Sequence, residues 1–196
     1  MRVCVYGAAS ATIDKKYIDA SFELGEYLAG RGHSLVYGAG SSGVMGAVSR
    51  GFKKGGGHVI GVIPKFFEEN GYEAINYECN KLVYTETMAE RKAIMEDTCE
   101  AFIIAPGGIG TFEEFFQAFT LKQLGRHAKA IVVFNNHGYY DQMKKLLEKA
   151  MEDNFVNDDC VVLVAYANTK EEVANYLENY SPDNINWANL KRCVER

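Results

Sequence analysis

Short apolar runs alternate with amphipathic stretches along the 196 residues of this chain. The apolar runs are rich in β-branched and aromatic residues and predict strands at 3–6, 34–37, 58–63, 81–84, 101–105, 130–134 and 161–164. The amphipathic stretches have helical spacing and predict helices at 14–30, 43–54, 88–99, 111–124, 139–153 and 169–178. The chain therefore reads as a regular alternation of strands and helices.

Several of these strands are apolar at every position instead of alternating between apolar and polar residues. Such strands belong to parallel sheets that are covered by helices on both faces. The pattern predicts an α/β fold: a single-domain, Rossmann-like, doubly wound parallel sheet with helices on both faces. In this prediction residues 1–180 form the domain, and the polar stretch 181–196 is a C-terminal extension, either a surface segment or an oligomer contact.

Composition narrows the classes of function. With 47% hydrophobic and 24% charged residues, the chain has the composition of a globular protein. Its formal net charge of −5 argues against nucleic acid or an anionic membrane as the main partner. The 5 cysteines form no CxxC pair, and no signal-peptide pattern is visible. We therefore expect reduced cysteines, no metal site and a cytoplasmic location.

Three loops of glycine and other small residues follow predicted strands, at 7–10, 38–43 and 106–111. In a doubly wound sheet, ligands bind at the edge formed by these loops. Loop N–H groups at a helix N-terminus bind anions, although glycines can also serve only to make tight strand–helix turns. Two glycine-rich helix starts, together with the hydroxyls of Ser41, Ser42 and Thr111, favour a ligand that carries phosphate.

Residues 38–43 match the GxGxxG pattern of dinucleotide sites. A dinucleotide site also needs an acidic residue about 20 positions further on, at the end of the next strand, to hold the ribose hydroxyls. The strand predicted at 58–63 contains no acidic residue. The loop is therefore better suited to a phosphate or a nucleoside monophosphate than to NAD.

Glu113 and Glu114 lie at the start of the helix that follows the third loop. One interpretation is structural: Thr111 and Glu114 have the spacing of a capping box, and acids in a first turn suit the helix dipole. The other interpretation is that Glu114 acts in catalysis.

The same helix carries an apolar stripe that we expect to face the core, formed by Phe112, Phe115, Phe116 and Phe119. At about 100° per residue, Glu114 points nearly opposite this stripe. The pattern alone therefore does not bury its carboxylate.

Arg91 interrupts an otherwise apolar stripe formed at helical spacing by Met88, Met95 and Cys99. A guanidinium among apolar side chains is costly unless a carboxylate or phosphate meets it. The alternative is an arginine that snorkels to solvent at the helix edge. Since this helix starts at the same sheet edge as the loop at 106–111, we expect Arg91, Glu114 and that loop to converge.

The motifs MAERK at 88–92 and PGGIGTFEE at 106–114 resemble those of the LONELY GUY (LOG) family of nucleoside 5′-monophosphate phosphoribohydrolases. Many members of that family are labelled "possible lysine decarboxylase". Further similar stretches lie at 35–48, 61–64, 121–125 and 135–143. The chain departs from the family pattern in its first loop, where Gly-Ala-Ala-Ser replaces the usual Gly-Ser-Ser, and the second loop has Gly-Ala-Gly where Gly-Gly-Gly is frequent.

The resemblance implies cleavage of a purine or cytokinin nucleoside 5′-monophosphate such as AMP to the free base and ribose 5-phosphate, with no cofactor and no metal. It implies Arg91 and Glu114 as catalytic residues. The residues that it implies for substrate binding are Ser10, Gly40, Ser41, Met88, Lys92, Gly107, Gly108, Ile109, Gly110, Thr111, Glu113 and Thr120. The family can also use an acid to bind the base, and Glu68, Glu69 and Glu73 are all open candidates.

Two other classes of function are weaker interpretations. A non-catalytic nucleotide or cofactor carrier of the same superfamily would not need both Arg91 and Glu114. An amino-acid decarboxylase would need a lysine within a phosphate-binding cup for pyridoxal phosphate, and no such motif is recognisable. From the resemblance we also expect a homodimer.

Overall fold

The computed structural model describes residues 1–71 and 73–190 and contains one seven-stranded sheet in which every neighbouring pair of strands is parallel. The strands in chain order are β1 (Arg2–Tyr6), β2 (Ser34–Tyr37), β3 (Val59–Pro64), β4 (Lys81–Thr85), β5 (Ala101–Ile104), β6 (Ala130–Phe134) and β7 (Ala165–Ala167). In space they lie in the order β4-β3-β2-β1-β5-β6-β7.

Helices follow the strands along the described part of the chain. The α-helices are α1 (Lys15–Gly30), α2 (Gly43–Lys54), α3 (Lys65–Asn70), α4 (Met88–Thr98), α5 (Ile109–Gln123), α6 (Asp141–Glu152), α7 (Lys170–Asn179) and α8 (Trp187–Leu190). Short 3₁₀ helices occur at Asn136–Gly138, Asp158–Leu163 and Pro182–Asn184. Within these residues, no helix is both long enough and apolar enough to cross a lipid bilayer.

Strand β1 shows why its sequence lacks an in/out alternation. Val3 and Val5 belong to the core on one face of the sheet, together with residues of α1, α2 and α7. Cys4 and Tyr6 belong to the core on the other face, together with residues of α4, α5 and α6. Both faces bury apolar side chains, so the predicted doubly wound sheet is confirmed.

The order of the strands reverses between β1 and β5, which lie side by side with Tyr6 opposite Ile104. Ligands of doubly wound sheets bind at such a switch point, outside the carboxyl ends of the strands. The loops that leave β1, β2 and β5 meet there: the Ala8 N–H donates to the Pro106 carbonyl and the Met45 N–H donates to the Ala8 carbonyl, both at 3.1 Å. The three loops noted in the sequence therefore share one edge.

The strand predicted at 161–164 is wrong. Residues Asp158–Leu163 form a 3₁₀ helix, and the edge strand is the shorter β7 that follows it. Val161 and Val162, whose β-branched side chains favoured a strand, are 58% and 53% exposed. Strand propensity describes a side chain that packs on a half-buried sheet surface, and these two valines do not reach one.

A buried lysine holds the 3₁₀ helix in place. Lys122 of α5 is fully buried, and its Nζ donates to the Leu163 carbonyl at 2.7 Å. Burial lowers the pKa of this amine to about 7. The contact joins residues far apart in sequence, so local propensity gave no sign of it.

The C-terminal stretch contributes to the core. Ile185 and Leu190 are 7% and 4% exposed and pack with the α4 and α5 side of the sheet. The part of the predicted extension at 181–190 is therefore more than a surface segment, and residues 191–196 lie outside the described residues.

Candidate active site

Helix α5 begins at Ile109, two residues earlier than predicted and directly after the third loop. Its N-cap residue is Gly108, which has no side chain to satisfy the N–H groups of the first turn. A Cβ atom at Gly108 or Gly110 would meet nothing within 4 Å. The loop thus presents backbone N–H groups and the positive end of a helix dipole to open space, which suits an anion.

The capping box expected from Thr111 and Glu114 is absent. Because α5 starts at Ile109, Thr111 lies within the first turn rather than at the N-cap position. Thr111 is 4% exposed, and a Cβ atom at Gly107 would lie 2.1 Å from its Oγ1. Thr111 therefore packs beneath the loop and requires glycine at 107, while Glu114 has no capping role.

The core face of α5 is rotated from the predicted aromatic stripe. Phe115 and Phe119 are buried and Phe112 is half-buried, but Phe116 is 37% exposed. The rotation leaves Glu114 half-buried rather than fully exposed, and its carboxylate interacts electrostatically with Arg91 and Lys92 of α4. The buried residues of α5 are Thr111, Phe115, Ala118, Phe119 and Lys122.

Arg91 is 5% exposed on the inner side of α4. Its Nε donates to the Val62 carbonyl at 3.1 Å, and its Nη2 donates to the Gly38 carbonyl at 3.0 Å. Its Nη1 lies 3.9 Å from the Met88 sulfur. The guanidinium is thus fixed by carbonyl groups of β3 and the second loop and does not snorkel to solvent. A Cβ atom at Gly38 would lie 1.7 Å from Nη2, so this fit requires glycine.

The pKa of Glu114 is raised to about 7. Burial is the main cause, the nearby charge of Arg91 opposes it, and the neighbouring carboxylate of Glu113 adds to it. A carboxyl group with this pKa exchanges its proton readily near neutral pH, as a general acid or base must.

A third carboxylate reaches this edge from a segment that the sequence left undefined. Gly40 and Ile75 form an isolated antiparallel bridge, and both the N–H and the hydroxyl of Ser41 donate to the Ala74 carbonyl, at 2.8 and 2.9 Å. This pairing lays the segment against the second loop. A Cβ atom at Gly40 would lie 2.0 Å from Oε1 of Glu73, so the carboxylate rests directly on the glycine.

Glu73 Oε1 is buried and has no hydrogen-bond partner among the described residues. Burial raises the pKa of Glu73, and the charge of Arg91 opposes the rise. In contrast, Glu68 accepts a hydrogen bond from the Tyr77 hydroxyl at 2.6 Å, and Glu69 is exposed on α3. Of the three acids that the sequence left open, the structure places Glu73 beside Arg91.

Lys92 and Glu113 lie on the outer side of the seam between α4 and α5. They form an ion pair with each other, and Lys92 Nζ also donates to Gln117 Oε1 at 2.6 Å. The Glu113 side chain is 54% exposed, and Met88 at the start of α4 is 37% exposed. These residues border the edge where Arg91 and Glu114 meet.

Two other residues implied by the resemblance have exposed side chains, in the first loop and on α5. Ser10 is exposed in the first loop, and its Oγ lies 3.0 Å from Oγ1 of Thr12. Thr120 is exposed on α5, nine residues after Thr111, which is about 13 Å along the helix axis. The structure does not bring Thr120 to the glycine loop of its own chain.

Two tyrosines that sequence reasoning did not single out brace the third loop. The hydroxyl of Tyr139 donates to the Gly107 carbonyl at 2.7 Å, and that of Tyr140 donates to the Ala105 carbonyl at 2.8 Å. The Tyr140 N–H donates to Asn135 Oδ1 at 2.7 Å. All three residues lie in the stretch at 135–143, whose similarity to the LOG family was the one signal available.

The chemistry of this edge is that of an anion site beside carboxylates. Residues 107–111 offer N–H groups, Arg91 supplies a buried charge, and Glu114 and Glu73 face it from two sides. Over residues 1–71 and 73–190, no group of three or more His, Cys, Asp or Glu side chains is placed to hold a metal ion.

Comparison with known proteins gives a family match and close relatives. The family model described as "Possible lysine decarboxylase" matches residues 45–177. The chain is 39% identical over 181 residues to a protein of Oryza sativa subsp. japonica named "Probable cytokinin riboside 5′-monophosphate phosphoribohydrolase", covering 92% of this chain and 72% of that protein. It is 37% identical over 190 residues to a cytokinin riboside 5′-monophosphate phosphoribohydrolase of Arabidopsis thaliana, covering 97% and 88%.

Among solved structures, the molybdenum cofactor carrier protein of Chlamydomonas reinhardtii matches with a TM-score of 0.68 at 22% identity, covering 90% of this chain and 95% of that chain. At this identity the likeness shows a shared fold. The sequence relatives carry the assignment, and the family match includes Arg91, the third loop and Glu114. The chain belongs to the LONELY GUY family of phosphoribohydrolases, whose family model bears the older description of a lysine decarboxylase.

Proposed function

We propose that this protein hydrolyses the N-glycosidic bond of a purine or cytokinin nucleoside 5′-monophosphate, releasing the free base and ribose 5-phosphate. The observation that carries the proposal is the position of Glu114, a half-buried carboxylate of raised pKa between the buried Arg91 and the N-terminus of α5. A phosphate-binding cradle and a carboxylate on one short stretch of chain suit a phosphorylated sugar.

The 5′-phosphate binds at the start of α5 in this proposal. The N–H groups of 109–111 lack carbonyl partners within the helix, and the space above Gly108 and Gly110 is open. The helix dipole adds a favourable interaction with negative charge. Tyr139 and Tyr140 hold the loop carbonyls from below, so the N–H groups are fixed before the ligand arrives.

Glu114 acts on the ribose. As the bond between C1′ and the base nitrogen lengthens, positive charge builds on the sugar, and a fixed carboxylate stabilises that charge more than it stabilises the neutral ground state. Water then adds its oxygen to C1′ and loses a proton, while the base leaves with the bonding electron pair and is protonated. Glu114 is suited to orient the water and accept its proton, since its pKa is about 7.

Glu73 binds the base in this proposal. Its buried Oε1 has no partner among the described residues, and burial favours the neutral form of a carboxyl group, which both donates and accepts hydrogen bonds. The edge of adenine offers a matching N–H donor and ring-nitrogen acceptor. Apolar surface nearby comes from Met88 and Phe67. The centroid of the Phe67 ring lies 5.7 Å from the guanidinium carbon of Arg91.

The substrate test compares AMP with adenosine. We expect AMP to be cleaved with a kcat/KM at least ~100-fold higher, because the phosphate contacts at α5 position the sugar for reaction. Base release is measured by chromatography with adenine as the standard. Equal kcat/KM values would show that the loops are only turns. Tight AMP binding without cleavage would favour the carrier alternative, and release of carbon dioxide from lysine would favour a decarboxylase.

We propose further that the protein is a homodimer that packs through the outer face of α5. That face exposes Ile109 (82%) and Phe116 (37%), and Thr120 follows Phe116 by about one helical turn. In such a dimer, Thr120 of one copy could lie at the site of the other copy, whereas it does not reach the site of its own chain. Sedimentation at micromolar concentration is expected to give twice the 21.8 kDa mass of one chain. If wild type and Phe116→Glu both sediment with the mass of a monomer, the proposed dimer is contradicted.

A further inference from the structure

Tyr6 is the last residue of β1, directly below the edge where the proposed substrate binds. Its side chain is 1% exposed and stacks on Phe102 with ring centroids 6.0 Å apart. It lies on the face of the sheet that α4 and α5 cover, in the same core cluster as Phe115, the residue that follows Glu114. Tyr6 therefore lies beneath the same sheet edge as the start of α5, on the face that α4 and α5 cover.

The Tyr6 hydroxyl is buried and has no hydrogen-bond partner among the described residues. Two other buried tyrosines near the sheet are paired: Tyr140 donates to the Ala105 carbonyl, and Tyr37 accepts from Asn76 at 2.9 Å. Buried hydroxyls in native proteins almost always have a partner. A phenylalanine would fill this place without an unpaired oxygen, so the hydroxyl at the ligand edge points to a bond made there.

Several of the polar side chains that interact with Glu114 are already engaged elsewhere. Tyr140 is already bonded to a carbonyl, Lys92 and Glu113 pair with each other, and Arg91 is held by two carbonyls. The charge of Glu114 in turn raises the pKa of Tyr6, after burial and Cys4. The titratable or charged groups that interact with Glu114 are Arg91, Lys92, Glu113, Glu73, Tyr6, Cys4 and Tyr140.

We propose that Tyr6 is a positioning residue for Glu114, whose carboxylate is linked to the Tyr6 hydroxyl by hydrogen bonds through one buried water. The inference rests on the proposed function. A hydrogen bond to the ionised form favours that form, so Tyr6 and Arg91 together oppose the effect of burial on Glu114. The bond also fixes the direction in which the carboxylate faces the sugar.

The test is the pH profile of kcat/KM for AMP in Tyr6→Phe. If ionised Glu114 is the active form, activity rises with pH through its pKa of about 7. Loss of the hydrogen bond raises that pKa, so the rising limb moves to higher pH. Activity then falls about three- to tenfold below pH 7 and recovers largely above pH 8, since one pKa unit is a factor of ten.

Tyr166→Phe is the matched control. The Tyr166 hydroxyl is also buried without a partner among the described residues, but it lines an apolar cavity of about 270 Å³ beside α6, away from Glu114. In this variant the rising limb of the pH profile is expected at the same pH as in wild type. The same limb in Tyr6→Phe and wild type would overturn the proposal. If Tyr6→Phe does not fold, 3-fluorotyrosine at position 6 keeps the shape and strengthens the donor, so the limb is then expected at lower pH.

A second measurement does not depend on turnover. Carboxyl ¹³C NMR, with the Glu114 resonance assigned from its loss in Glu114→Gln, gives the pKa of Glu114 directly. Tyr6→Phe is expected to raise that pKa, and an unchanged value would overturn the role of Tyr6. If the wild-type protein cleaves no nucleoside monophosphate, the proposed function is contradicted. The NMR comparison still decides whether Tyr6 and Glu114 interact.

Discussion

Glu114→Gln is expected to lower the turnover of AMP by ~100-fold or more while leaving AMP binding largely intact. Glutamine keeps the shape of the side chain and removes the charge that faces the ribose. The loss therefore falls on the transition state, in which the sugar becomes positive, rather than on the bound ground state. Steady-state kcat and a calorimetric Kd for AMP separate the two effects.

Glu113→Gln is the control for this prediction, because it removes a neighbouring charge at the same end of α5. Glu113 is exposed and paired with Lys92, so its loss is expected to reduce turnover clearly less. Turnover in Glu114→Gln close to that of wild type would remove the basis of the proposed mechanism.

The stability of Glu114→Gln separates catalysis from structure. The folded-state pKa of Glu114 is raised to about 7, so the folded protein holds this proton more tightly than the unfolded chain does. The protein therefore loses stability as the pH rises from the unfolded pKa toward 7, and glutamine avoids that loss. At pH 8 we expect the melting temperature of Glu114→Gln to equal or exceed that of wild type, a common trade-off at active sites.

Much of the fold followed from the sequence because it depends on local patterns. Uniformly apolar runs predicted buried parallel strands, and loops after parallel strands must share an edge. The same geometry explains why Arg91, on the helix after β4, reaches the second loop and bonds the Gly38 carbonyl. The prediction of the edge strand failed because the 3₁₀ helix before it is held by Lys122. The hydrogen bond from Lys122 to the Leu163 carbonyl joins residues 41 positions apart.

The errors at the site have a similar origin. Whether Thr111 caps a helix depends on where α5 begins. The helix begins at Ile109, two residues before Thr111, so Thr111 is not the N-cap residue. Glu73 could not be chosen from the sequence because the bridge between Gly40 and Ile75 sets its position. Such contacts leave no periodicity in the sequence, whereas the glycine motif does.

Arg91→Ala is expected to lower kcat/KM for AMP by ~100- to 1000-fold, more than loss of a surface charge would. The guanidinium bonds the carbonyls of Val62 and Gly38, so its removal loosens the second loop from β3. Its charge also opposes the rise in the pKa of Glu114, so less of this carboxylate is ionised at neutral pH in the variant. Arg91→Lys keeps the positive charge but loses the planar guanidinium that donates to two carbonyls. We expect its activity to lie between those of Arg91→Ala and wild type.

Combining Arg91→Ala with Glu114→Gln tests whether the two residues act as a unit. Each single change disables the same arrangement, in which a fixed arginine holds a carboxylate ionised beside the sugar. The double variant is therefore expected to be little slower than the slower single variant, as for residues that act together in catalysis. Rate losses that multiply would mean that Arg91 binds the substrate independently of Glu114. In that case the proximity of the two side chains would reflect only a shared sheet edge, and the influence of Arg91 on the pKa of Glu114 would have no part in the reaction.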